Sequence, residues 1–211
     1  MVKHFWQQLI LVTVVATLII GLLLVGCSDS DDTPEATANP TPTLTEEPSN
    51  NPTAVIHTNL GDITLELFED KVPVTVGNFV RLVNDDFYDG MIFQRISDDF
   101  MIQGGEQLPD GNKQISPYGP INLEIHPEVR HIDGAISMAR TQDPNSATAQ
   151  FFICDGPQPF LDDGYAAFGV VTEGIEVVSQ IAAAPNDGRF EPNPGGGKPI
   201  DDVIITSIEI K

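Results

Sequence analysis

Apolar and polar residues alternate strictly along "ITLEL", with Ile63, Leu65 and Leu67 set against Thr64 and Glu66. A period of two predicts a half-buried strand. The preceding "AVIHT" predicts its partner, joined through a tight turn at Asn59-Leu60-Gly61. From Pro73 the period changes. Val76, Phe79, Val80 and Val83 fall at i, i+3, i+4 and i+7, so "PVTVGNFVRLVND" predicts a helix with one apolar face. Pro73 suits its first turn. Beyond it, "MIFQRI", "FMIQ", "GAISMA", "AQFFIC" and "AAFGVV" are short apolar runs between Gly, Pro and Asp turns, and each predicts a strand. Residues 173–183 predict a second helix with Ile175, Val178, Ile181 and Ala182 inward, and "DDVIITSIEI" a closing strand. Many short strands with only two helices predict a mainly β fold, an antiparallel barrel whose open ends the helices cover.

The segments before residue 54 do not follow this pattern. Lys3 precedes an apolar run over residues 9–25, which reads as an export signal. An uncleaved membrane anchor is the alternative, since the run sits at the short edge of the roughly 17–25 residues that span a bilayer. Residues 28–53, "SDSDDTPEATANPTPTLTEEPSNNPT", hold almost nothing to bury and predict a disordered, extended tether, with a protein-binding tail as the other reading. The run ends in "LVGC", which resembles the lipobox of bacterial lipoproteins, where the chain is cut before a cysteine that carries lipid. That resemblance implies a signal peptide over residues 1–26, a lipidated Cys27 and tether over 27–53, and a folded domain over 54–211. The domain would sit outside the cytoplasm, anchored to the cell membrane and facing the periplasm or the cell surface.

Charge narrows the partners. Ten basic against 31 acidic residues give a formal net charge of −21. Such a surface is soluble and offers no basic face to a phosphate backbone, so nucleic acid is excluded as a partner. Only two cysteines occur, Cys27 and Cys154. With Cys27 acylated, no disulfide is expected and the domain must stand on its own core. Cys154 follows "QFFI" and is expected to be a small buried hydrophobe, because no histidine or basic cluster stands near it in sequence to activate a thiol.

Common catalytic patterns fail. His57, His126 and His131 lack metal-ligand spacing, and Ser137 and Ser146 lack a "GxSxG" context. "GGGK" at residues 195–198 is followed by proline and lacks the Ser/Thr of a phosphate loop, so it reads as a flexible loop. Most carboxylates sit in turns, and no pair stands out for acid–base work. Neither a metal nor a cofactor is expected. Two stretches remain. "FQRISDDFMIQGG", residues 93–105, sets Arg95 among Phe93, Ile96, Phe100, Met101 and Ile102. The other is "GAISMARTQDPNSATAQFFICDGPQPFLDDGYAAFG", residues 134–169.

In these stretches the chain resembles the cyclophilins, the peptidyl-prolyl cis–trans isomerases, and the resemblance extends over essentially all of residues 54–211. "GDITLELFEDKVPVTVGNFV" is similar to their first hairpin and helix, and "FQRISDDFMIQGG" to their "FHRIxxxFMxQGG" signature. "SMA", "QFFI" and "FLDDGYAAFG" are similar to the remainder of their groove. The resemblance implies an eight-stranded antiparallel barrel capped by two helices. It also implies an isomerase that acts on proline-containing peptides and unfolded exported proteins, as a monomer. Phe100, Met101, Phe152, Leu161 and Tyr165 would form the proline pocket. Arg95 would be the catalytic donor, and Gln103 would orient it and contact the substrate carbonyl. The backbone around Ala139, Arg140 and Thr141, with Gln150, would pair with the extended peptide. Phe160, also expected to bind substrate, stands where many eukaryotic members have tryptophan, Tyr165 where they have histidine, and Arg140-Thr141 where they have Asn-Ala. Bacterial cyclophilins resemble the chain at these positions. Phenylalanine cannot supply the indole N–H donor, so tight cyclosporin binding is not implied.

The chemistry suits such residues. Amide resonance sets a rotation barrier of roughly 18–20 kcal/mol, while cis and trans differ before proline by only about 0.5–1 kcal/mol. No bond need break. A catalyst must favour the twisted amide over either planar form. An apolar pocket and one fixed donor to the proline nitrogen suffice, and a nucleophile or titrating base has no task. Two other classes fit the same groove: a proline-peptide binding module or holdase without turnover, and a displayed adhesion or scaffold domain with a vestigial groove. The intact Arg95 argues against the first, and the nearly complete set of groove residues against the second.

Overall fold

The computed structural model describes residues 50–190 and 195–211. The expected signal peptide over residues 1–26, Cys27 and the tether up to residue 49 lie outside the described residues. Among the described residues, no helix is long and apolar enough to cross a membrane.

β1 (Thr53–Thr58) and β2 (Gly61–Leu67) form the predicted hairpin. Ala54 pairs with Leu65 and Ile56 with Ile63, so these fully buried side chains share the inner face. At the turn the Thr58 hydroxyl donates to the Gly61 carbonyl at 2.7 Å and accepts from the Leu60 N–H at 3.0 Å. Residues just ahead of 54 take part in the fold. β1 takes in Thr53, the Leu67 N–H donates to the Pro52 carbonyl at 2.9 Å, and the Asn51 amide donates to Glu66 at 3.0 Å. α1 (Pro73–Asn84) then buries Val76, Phe79, Leu82 and Val83, while Val80 packs from the edge of the core.

Six further strands follow: β3 (Arg95–Ser97), β4 (Met101–Gly104), β5 (Ala135–Met138), β6 (Phe151–Cys154), β7 (Ala167–Glu173) and β8 (Ile205–Ile210). α2 (Ile175–Ala182) lies between β7 and β8. It starts two residues later than the periodicity predicts, because Gly174 precedes it at φ 88°. Val177 joins Val178, Ile181 and Ala182 in the core, and Ile175 is only half-buried. "MIFQRI" is not one strand. Arg95 and Ile96 belong to β3, whereas Ile92 bridges to Ile204.

The strands are hydrogen-bonded in the order β3-β4-β6-β5-β7-β2-β1-β8, every pair antiparallel. The residues leading into the two end strands meet as well. The Phe93 N–H donates to the Val203 carbonyl at 3.0 Å, and the Ile205 N–H to the Met91 carbonyl at 2.8 Å. The result is the expected eight-stranded antiparallel barrel with two helices. Register shifts at His57/Thr58, Thr64/Leu65 and Ile136/Ser137 sharpen the local bend that this curvature needs. Inside, Phe79 of α1 meets the rings of Tyr88, Phe151 and Phe168 at centroid distances of 5.3 to 5.7 Å. Burying each such ring stabilises the fold by about 1.5–3 kcal/mol.

The short strands are apolar on both faces, and alternation divides them between two clusters. Ile96, Ile102, Ile136, Phe151 and Ile153 belong to the barrel core. Met101, Ala135, Phe152 and Cys154 point the other way and form a second cluster with Leu161. This outer cluster supports the candidate site.

Candidate active site

Register builds the site. Arg95 pairs with Gln103, Gln103 with Phe152, and Phe152 with Ser137, so one row crosses β3, β4, β6 and β5. With a period of two, these side chains share the outer face. Above the row lies a cavity of about 340 Å³. Met101, Phe152 and Leu161 form its buried floor, 2%, 5% and 7% exposed. Tyr165 stands edge-on to Phe152, centroids 5.8 Å apart. Phe100 and Phe160 stack at the rim with centroids 6.0 Å apart, and Phe160 is 71% exposed.

Arg95 borders this cavity and is half-buried. Its Nη2 donates to the Gly195 carbonyl at 3.2 Å. Its guanidinium carbon lies 4.9 Å from the Phe190 ring centroid and 5.8 Å from that of Phe100. Its Nε is buried and has no hydrogen-bond partner among the described residues. Burial pulls the guanidinium below its ordinary pKa, yet arginine keeps its charge in proteins. An unsatisfied, charged N–H beside an apolar cavity is costly unless something enters to accept from it.

The other expected residues have defined places. Gln103 faces Arg95 across the ladder, but its amide nitrogen donates to Gln150 Oε1 at 2.9 Å. Among the described residues Arg95 thus donates to the Gly195 carbonyl and not to Gln103. The Ala139 N–H is taken by the Gln150 carbonyl at 2.9 Å, and the Thr141 N–H by Ser146 Oγ at 2.9 Å. Arg140 donates from Nε to the Gly164 carbonyl at 2.7 Å and lies 4.5 Å from the Tyr165 ring centroid, which braces that wall. Thr141 and Gln150 do not line the cavity, whereas the other ten expected residues do.

A group behind the floor had no signal in the sequence. His131 Nδ1 meets Asp162 Oδ1 at 2.9 Å and its Nε2 meets Ser137 Oγ at 3.0 Å. The backbone N–H of His131 also donates to Asp162, at 2.8 Å. Burial pulls His131 below its ordinary value of 6.5, although Asp162 opposes this. Against the cost of burial, the bonds from His131 and the charge of Arg130 hold the Asp162 carboxyl below the usual carboxylate range. The order Ser–His–Asp is that of an acyl-transfer triad, but Ser137 is 0% exposed, so no substrate reaches it. Cys154 is likewise sealed, and burial pushes its thiol up to about 12, far from a reactive thiolate. Asp98, Asp99 and Asp155 gather nearby, but Asp155 already accepts from the Asp99 N–H and the Ser179 hydroxyl.

Comparison with known proteins identifies the family. Residues 53–210 match the family model described as cyclophilin type peptidyl-prolyl cis-trans isomerase/CLD. The chain is 40% identical to peptidyl-prolyl cis-trans isomerase B of Escherichia coli over 164 residues, covering 73% of this chain and 96% of that one. It is 45% identical to peptidyl-prolyl cis-trans isomerase cyp18 of Streptomyces antibioticus over 137 residues, 61% of this chain and 82% of that one. A cyclophilin type isomerase of Cryptosporidium parvum superimposes with a TM-score of 0.65 at 30% identity, covering 76% of this chain and 98% of that one. The same enzyme crystallised in the presence of the dipeptide Ala-Pro gives 0.64 at 31% identity, with 75% and 98% covered. The chain belongs to the cyclophilin family and is a peptidyl-prolyl cis–trans isomerase.

Proposed function

We propose that this cyclophilin-type isomerase accelerates rotation about X-Pro bonds in exported proteins and so assists their folding. The floor of Met101, Phe152 and Leu161 receives the proline ring and excludes water, which strengthens each polar contact within. As the amide twists, the proline nitrogen pyramidalises and its lone pair localises. The Arg95 guanidinium, which borders the cavity, donates to that lone pair. Gln103 contacts the substrate carbonyl from the same face, and the strand around Ala139 to Thr141 meets the residues before proline. The N–H groups of Ala139 and Thr141 are already bonded and the Thr141 carbonyl accepts from Arg140 Nη1 at 2.8 Å, so the carbonyls of Ala139 and Arg140 and the Arg140 N–H are the groups this strand would offer. The observation that carries this reading is the Arg95 guanidinium bordering the same cavity as the apolar floor of Met101, Phe152 and Leu161. Exchange NMR on a short X-Pro peptide tests it: catalytic amounts of the protein should broaden and merge the cis and trans signals. Unchanged signals would refute turnover and leave only peptide binding.

The place of action is part of the same reading. "LVGC" after the apolar run supports a lipid-anchored protein working outside the cytoplasmic membrane. Cys27→Ser should abolish incorporation of labelled fatty acid and leave the precursor unprocessed. A mutant that still takes up label and matures would overturn the anchor.

A further inference from the structure

"GGGK" at residues 195–198, which by its sequence reads as a flexible loop, touches the site. Gly197 exchanges both backbone bonds with Ile96, the neighbour of Arg95, at 2.9 and 3.0 Å. Gly196 lies so close to that strand that a Cβ on it would stand 2.0 Å from the Ile96 carbonyl oxygen, at a φ of +80° that disfavours other residues. A Cβ on Gly197 would stand 2.3 Å from Asp187 Oδ1. Only a glycine run lets the segment lie flat on β3. The Phe190 N–H donates to the Gly196 carbonyl at 3.1 Å, which ties the aromatic residue to the same anchor. Asp187 secures the base of the loop: its Oδ1 accepts from the Lys198 N–H at 2.9 Å, and Arg189 draws its carboxyl down to about 2.

We infer that Phe190 is a positioning residue for catalysis, holding the Arg95 guanidinium against its ring and the Gly195 carbonyl so that the guanidinium faces the substrate. This rests on the catalytic reading of Arg95. The ring supplies a face 4.9 Å from the guanidinium carbon, and the carbonyl takes one Nη2 hydrogen. Together they restrain rotation of the side chain while leaving Nε unspent. A donor to a developing lone pair acts through its preorganisation, so loosening it slows rotation without weakening the grip on proline. Phe190 does not line the cavity and is 42% exposed, so its replacement leaves the floor and the barrel core untouched.

The test is exchange NMR on an X-Pro peptide, at saturating peptide and across a titration, with the full chain. Phe190→Ala should lower the saturated rate roughly two- to fivefold, the scale of a partly exposed cation–π contact, with peptide affinity unchanged. Phe190→Tyr should restore the rate. In an Arg95→Ala background, followed at raised enzyme concentration, Phe190→Ala should cost nothing further. A wild-type rate for Phe190→Ala would overturn the inference, as would the same fold-loss in the Arg95→Ala background. A wild-type rate for Arg95→Ala alone would instead refute the catalytic reading of Arg95, and this inference with it.

Discussion

The imidazole of His131 lies face to face with Phe152, ring centroids 6.0 Å apart and planes inclined by 13°. His131 therefore backs the cavity floor, and through Asp162 it also holds the loop that carries Leu161. A buried histidine bonded at both nitrogens ties two walls of the site together.

Loss of that tie should appear in stability and its pH dependence. His131→Gln is expected to cost about 1–3 kcal/mol, because buried groups lose their partner. The sign of the pH effect follows from the direction of the shift. His131 titrates below 6.5 in the folded protein because burial disfavours the imidazolium. On acidification the unfolded chain takes up the proton first. The stability contributed by neutral His131 is thus fully present above 6.5 and is lost as pH falls from there through the folded value. Urea unfolding at pH 7.5 and at pH 5 should show this loss in the wild type, with that part of the slope missing from His131→Gln. An unchanged slope would exclude His131 as its source.

Arg95→Ala should remove most isomerase activity from a folded domain. Losing one preorganised donor costs about 2.7–4 kcal/mol, roughly 10²–10³ in rate, by analogy with oxyanion holes. Arg95→Lys should rescue poorly, since an ammonium on a flexible stem does not reproduce the planar fork. Peptide exchange measures the rate and circular dichroism the fold. A folded variant at the wild-type rate would eliminate this mechanism.

The rate per folded molecule should be nearly flat from about pH 6 to 8, the window in which an ordinary histidine titrates. Arg95 stays charged throughout, and His131 is already neutral at the top of that window because its pKa lies below 6.5. A bell-shaped profile centred there would reveal an acid–base group in the reaction.

Glu124 acts at a distance as the cap of α1. Its carboxylate accepts from the N–H groups of Val74 and Thr75 at 3.3 and 2.8 Å and from the Thr75 hydroxyl at 2.8 Å, while Val72 at the N-cap offers no side-chain oxygen. Glu124→Ala should destabilise the protein by about 1 kcal/mol, the usual worth of a cap, and leave peptide exchange per folded molecule unchanged. Thermal unfolding at neutral pH reads the first, exchange NMR the second. An unshifted midpoint would show that water replaces the carboxylate without cost.

The candidate site was legible in part. Arg95, Phe100 and Met101 stand close together in one stretch, and their match to a family signature identified them before any coordinate. Phe152, Leu161 and Tyr165 entered by the same route. The holders of Arg95 did not: Gly195 lies a hundred residues from it, in a loop that reads as mere glycine. Nor did His131, whose partners Ser137 and Asp162 lie 6 and 31 residues away.

By itself the sequence determined most of the strands, both helices and the main buried faces, because those patterns arise from sterics and burial over a few neighbouring residues. It set the hairpin of β1 and β2, the apolar face of α1 and the short apolar strands β5 and β6. Only the tertiary structure decided that β4 lies beside β6, that Arg95, Gln103, Phe152 and Ser137 fall in one row, and that Glu124 and Gly195 reach their distant partners. Periodicity reports that a face is covered. What covers it depends on register and chain closure across many residues, and those are set by the packing of the whole barrel.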